Sequence, residues 1–146
     1  MADLSCIPKF EKKAIADRWV GQNLKLMLLS KNHIPNAGTQ QYVSDVVINE
    51  ISDERDVYTA GGIVLEGKAS TPDPLLPNNI FFDANDIVVG PGASVDYRFG
   101  LIYEDMGTGN HSVNPIRAQI DFLEDQKVTN GISTINWNAL GIIYVS

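Results

Sequence analysis

Residues 95–105, VDYRFGLIYED, constrain the fold of this chain more tightly than any other stretch. Side chains alternate across a strand, so Tyr97, Phe99, Leu101 and Tyr103 share one face while Arg98, Gly100, Ile102 and Glu104 share the other. One aromatic face and one mixed face make an interior strand. Gly100, bare on the mixed face, predicts a bend or the close approach of a neighbouring backbone. So much apolar surface is unfavourable in water, and the strand therefore needs partners.

Partners appear on both sides of it. Leu24, Leu26 and Leu28 alternate with Lys25, Met27 and Leu29, a strand buried on one face and partly on the second. Gly61-Gly62 leads into IVLEGKAS, a strand entered where φ is above zero or backbones approach closely; the Lys-Ser or Lys-Thr of a phosphate loop does not follow. Ile80 to Asp83 and Asp86 to Val89 read as a hairpin turning at Ala84 and Asn85, closed by Gly90-Pro91-Gly92. Ile116, Ala118, Ile120 and Phe122 alternate with polar residues, and Asn130-Gly131 predicts a tight turn before the strands ISTINW and GIIYVS. Loops are expected over KNHIPNAGTQQ, over the proline-rich STPDPLLPNN and over EDMGTGNHSVN.

Two segments carry helical spacing. Pro8 with KFEKKAIADRW predicts a first helix stopped by Gly21, its stripe made by Phe10, Ala14, Ile15 and Trp19. Tyr42, Val46 and Asn49 with Val43, Val47 and Ile51 recur at helical spacing and predict a second, short one. The sum is a mainly β chain: an antiparallel β-sandwich or barrel-like domain of about eight short strands with an N-terminal helix and one further short helix. Residues 1–22 form an N-terminal arm and helix packed on the body, and residues 23–146 a single β-rich domain.

Charge narrows the partners. Residues 1–31 hold six Lys or Arg against three acids, net +3, whereas residues 32–146 hold five against fifteen, net -10. An acidic body disfavours nucleic acid, whose recognition rests on clustered basic charge. No run reaches the length of a membrane helix, so no membrane partner is expected. MADLSCIPKF lacks the apolar core of a secretory signal and Cys6 is the sole cysteine, which predicts synthesis in a reducing cytosol without disulfides.

Catalytic groups are sparse. His33 and His111 both sit in polar loops, Ser94 lacks the second glycine of a nucleophile elbow because Asp96 stands there, and Cys6 lies near the terminus. Asp83, Asn85 and Asp86, and separately Glu104 and Asp105 beside Gly107 and Gly109, are oxygen-rich in the manner of calcium sites, yet lack EF-hand spacing and read as locally hydrogen-bonded turns. Trp19 and Trp137 read as core residues rather than a sugar platform. The expectation is a protein that is not an enzyme and takes no cofactor or metal.

In order, LKLMLLS, DVVINEI, YTAGGIVLEGK, FFDANDIVV, YRFGLIYED, RAQIDFLEDQ and TNGISTINWNALGI resemble a family of small structural proteins of tailed-bacteriophage virions, from about Lys12 to the end. The resemblance implies a capsid decoration or cement protein on the outer surface of the head, assembled in the host cytoplasm. It implies contacts with the major capsid protein, and association as a dimer or trimer is expected. The basic segment with Lys9, Phe10, Lys12 and Lys13 and the loop with Pro72, Pro74, Leu75, Leu76 and Pro77 are the expected contact surfaces. A tail or connector component and a carbohydrate-binding module on the virion are the alternative readings.

Overall fold

The computed structural model describes residues 2–3, 17–53, 55–76, 79–137 and 142–145. Its strands are β1 (Ala2–Asp3), β2 (Leu24–Leu29), β3 (Ile63–Val64), β4 (Ala69–Pro72), β5 (Ile80–Asp83), β6 (Ile87–Glu104), β7 (Ile116–Ile135) and β8 (Ile143–Val145). They form two four-stranded sheets, ordered β1-β8-β5-β4 and β3-β2-β6-β7. The chain is mainly β, and neither sheet closes into a barrel. Antiparallel pairing joins β2 to β3 and β6, and β5 to β4 and β8; β1 runs parallel to β8.

Contacts divide the chain into two compact units. The first gathers Met1–Gln22, Leu65–Ile87 and Ile135–Ser146; the second gathers Asn23–Val64 and Val88–Thr134.

In the second unit, β2 lies between β3 and β6 and is buried on both faces. Lys25, Met27 and Leu29 pair with Tyr103, Leu101 and Phe99, while Leu26 and Leu28 pair with Ile102 and Gly100. Met27, Leu29, Leu101 and Tyr103 pack with Val43 and Val46 into one cluster. Each such aliphatic side chain contributes about 2 kcal/mol by leaving water. Gly100 does not admit a backbone, as its bareness suggested. Side chains of Leu26 and Phe122 occupy the space, 3.0 and 3.2 Å from where a β-carbon would stand.

Residues 43–49 form two 3₁₀ turns, Val43–Asp45 and Val47–Asn49, instead of one short helix. Three β-branched residues within five positions disfavour an α-turn, and the threefold repeat of a 3₁₀ turn places Val43 and Val46 on the same side. Asp45 accepts from the Gln41 and Tyr42 amides at 3.0 Å each, which fixes the entry to the first turn.

The chain does leave its strand at Ala84 and Asn85, but the flanking β5 and β6 belong to different sheets and form no hairpin; the closing Gly90-Pro91-Gly92 and the expected Asn130-Gly131 turn lie inside long strands. Gly90-Pro91-Gly92 runs within β6, 18 residues long, and Asn130-Gly131 within β7, 20 residues long. Gly90, at φ 126, leaves room for the Gly131 carbonyl, so the glycine kinks the strand while the ladder goes on. Asn130, at φ 48, is held in its left-handed conformation by Ser94, whose Oγ accepts from the Asn130 amide at 3.0 Å, and by Arg55, which donates to Asn130 Oδ1 at 2.5 Å. The anticipated Asp86-to-Val89 strand is the start of β6, and β5 pairs with β4 and β8 instead.

The expected strand IVLEGKAS is broken: β3 ends after Val64, the chain bends at Gly67, and in the first unit β4 runs from Ala69 through Ser70 and Thr71 to Pro72. The proline-rich stretch is therefore part strand and part hairpin loop, with Pro72 opposite Ile80. Residues 17–21 are helical; Phe10, Ala14 and Ile15 lie outside the described residues. Trp19 is buried as expected, its ring stacked on Phe82 at 5.6 Å and its Nε1 donating to the Asp83 carbonyl at 2.8 Å. Trp137 is only half-buried, donating from Nε1 to the Asn85 carbonyl at 3.0 Å.

Gly61 and Gly62 meet the expectation for a glycine pair, with φ values of 95 and 97. A β-carbon on Gly62 would overlap the Leu26 carbonyl. Gly62→Ala is expected to destabilise the fold by roughly 3 kcal/mol, since a buried strand backbone has to move, and urea unfolding of the variant measures this.

Candidate functional site

The described part of the expected contact loop is a hairpin tip. The β4–β5 loop is closed by the Asp73 amide donating to the Asn79 carbonyl at 2.9 Å and the Asn79 amide donating to the Leu76 carbonyl at 2.8 Å. Asp73 Oδ1 accepts from the Leu75 amide at 2.9 Å, and Pro72 and Pro74 restrict the backbone on either side of that aspartate. Leu75 and Leu76 project outward, 87% and 56% exposed. Pro77 and the basic segment with Lys9, Phe10, Lys12 and Lys13 lie outside the described residues.

A second feature, in the other unit, is a cavity of about 480 Å³ lined by both apolar and charged residues. The end of β6 supplies Tyr103 and Asp105, β2 supplies Lys25, the 105–115 loop supplies His111 and Asn114, and the chain after the second 3₁₀ turn supplies Glu50. Residues far apart in sequence converge because β2 and β6 are paired side by side, and because the loop folds back where the Glu104 amide donates to the Pro115 carbonyl at 3.0 Å.

Every wall of the cavity is held. Glu50 Oε1 accepts from the Tyr58 hydroxyl at 2.9 Å and the Gly61 amide at 2.7 Å. Tyr58 in turn accepts from the Leu28 amide at 3.0 Å. Burial and the neighbouring Glu50 charge push the Tyr58 hydroxyl well above the usual phenol range. Tyr103 donates to the Gly61 carbonyl at 2.5 Å; burial, then the charges of Asp105 and Glu50, push it up to about 12. Asp105 pairs with Lys25 at 2.8 Å and accepts from the Gly107 amide at 2.9 Å, and these two bonds hold its carboxyl below the ordinary aspartate range. His111 sits edge-on to Tyr103 at 6.0 Å, and its Nδ1 lies 3.3 Å from Asn114 Nδ2. Beside the cavity, buried Glu104 pairs with Arg117.

The acidic turn at Glu104 and Asp105 beside Gly107 and Gly109 was the one part of this cavity visible as a local motif. Its oxygens are taken by Arg117, Lys25 and a backbone amide. The other oxygen-rich turn is likewise engaged: Asp83 accepts from the Ala84 amide and Asp86 from the Trp137 amide. Among the described residues no group of three metal-ligating side chains converges. Lys25 and Glu50 carried no functional signal in sequence, since one lies in an apolar strand and the other after a run of valines.

Compared with family models, curated proteins and solved structures, the chain finds no match.

The acid dependence of stability follows from the held carboxylates. Asp53, buried, accepts from the Arg55 and Tyr58 amides at 3.1 Å each, and the bond from Arg55 foremost holds it below the ordinary aspartate value of 3.8, as Lys25 does for Asp105. A depressed folded-state value means that their stabilisation is full above that ordinary value and is lost as pH falls through the lower folded values. Thermal melts should therefore fall steeply below about pH 4, and Asp53→Asn should flatten that limb while lowering the melting point at neutral pH.

Proposed function

We propose that this chain is a structural protein of a tailed-phage virion, a decoration or cement protein that binds the outer surface of the assembled head. It stabilises the shell through contacts with major capsid proteins and with copies of itself. The observation that carries the reading is the β4–β5 tip: two adjacent leucines held out to solvent on a loop flanked by Pro72 and Pro74 and pinned by Asp73. Leaving both in water is unfavourable, and burying them against a partner returns about 2 kcal/mol apiece. Prolines lower the entropy lost when such a loop docks. The resemblance of the strand blocks to small virion proteins supplies the particle, and the acidic body fits a partner other than nucleic acid.

The ratio of this chain to the major capsid protein in purified virions, by quantitative mass spectrometry, tests the reading. A ratio near one or a simple fraction is expected. A handful of copies per particle would move the chain to the tail or connector, and absence from virions would sink the proposal. At the tip, the double substitution Leu75→Asp with Leu76→Asp is expected to weaken shell binding about a hundredfold without lowering the melting point, because neither side chain is packed in the fold.

A further inference from the structure

The cavity around Glu50 has a charge pattern that the fold itself leaves unfinished. Asp105 has Lys25 as counter-ion, and buried Glu104 has Arg117. Glu50, half-buried and facing the same space, has no cation among the described residues, only the neutral Tyr58 hydroxyl and Gly61 amide. Both of those bonds go to Oε1, so the second oxygen keeps its full accepting capacity. Asp105 adds lone pairs beyond those used by Lys25 and Gly107. Among the carboxylates and lysines of the lining, Lys25 alone is set against Asp105 and Glu50, and its ion pair goes to Asp105, on whose side His111 also stands. A half-buried carboxylate served only by neutral donors favours a cation beside it.

We propose that this cavity is a receptor for a guanidinium group, which inserts beside Glu50 and donates to its free Oε2 and to Asp105. A guanidinium suits the site better than an ammonium, because its planar fork carries donors on two edges and meets two fixed carboxylates at once. The walls are preorganised for it. Tyr58 and Gly61 hold Glu50, and the Gly107 amide holds Asp105. Little order has to be created on binding. The volume of about 480 Å³ admits an arginine side chain with its stem. The inference does not depend on the virion reading.

The test is an amide NMR titration of the full chain at constant ionic strength with capped arginine, N-acetyl-arginine-N-methylamide, against the neutral isostere N-acetyl-citrulline-N-methylamide. Saturable shifts at the Gly61, Gly107 and Gly109 amides are expected with the arginine compound and not with citrulline. Glu50→Gln keeps an oxygen for Tyr58 and Gly61, preserving the fold, and is expected to weaken binding on the order of tenfold. Lys25→Gln removes the competing cation and is expected to strengthen it severalfold, a gain that a purely structural role for these residues does not produce. Free arginine, carrying its own charged termini, distinguishes the source: equal affinity for free and capped forms indicates a side chain presented by a partner protein, and a loss on capping indicates the free amino acid. Equal shifts with citrulline, shifts confined to other parts of the chain, or unchanged affinity in Glu50→Gln would each overturn the proposal.

Discussion

The second unit depends on completing the hydrogen bonds of a buried strand whose neighbour is too short. On one edge, β2 pairs with β6 over six residues; on the other, β3 supports only Lys25 and Leu26. Beyond them, polar backbone groups of Leu28, Leu29 and Ser30 would be buried unpaired, each at a cost of about 1–3 kcal/mol. Asn49, Ile51 and Tyr58 fill the gap. Asn49 accepts from the Ser30 amide, the Ile51 amide donates to the Leu28 carbonyl, and the Tyr58 hydroxyl accepts from the Leu28 amide. A phenol thus stands in for a missing strand residue. Its own proton goes to Glu50, so the need to finish one strand edge is what places a carboxylate at the cavity wall.

This explains how far the sequence could be read. The strands at 24–29 and 80–83 and the interior of the strand at 87–104 were legible, because alternation of apolar residues is a local signal that burial enforces. Gly61 and Gly62 were legible too, since a glycine pair announces unusual backbone. The turns at Gly90–Gly92 and Asn130-Gly131 were misread for one reason. Their residues permit a reversal, and contacts remote in sequence decide otherwise: Gly131 against Gly90, Ser94 and Arg55 against Asn130. The 3₁₀ turns at 43–49 differ from a helix by a tightening that the i, i+3 burial of Val43 and Val46 rewards.

Of the two candidate sites, the leucine tip was legible as composition and the cavity was not. Prolines and adjacent leucines in ten residues mark an exposed, stiff loop without reference to the rest of the chain. The cavity assembles Lys25, Glu50, Tyr103 and His111 from four separated segments, and only the register of β2 on β6 brings them together. Their individual residue types are commonplace. Their shared chemistry, an acid without a counter-ion beside a paired one, exists only in three dimensions.

The kinks in β7 have a consequence for the protein at high concentration. As the outermost strand of its sheet, β7 exposes a 20-residue edge, long enough to recruit strands from other molecules into cross-β aggregates. Leu123 at φ 71 and Asn130 at φ 48 interrupt the extended backbone and divide that edge into three short stretches. The first carries Arg117 and Asp121, the middle one Glu124, Asp125 and Lys127, and the last is only five residues long. The same irregularities that hide the strand from a reader of the sequence make its edge a poor template for cross-β pairing.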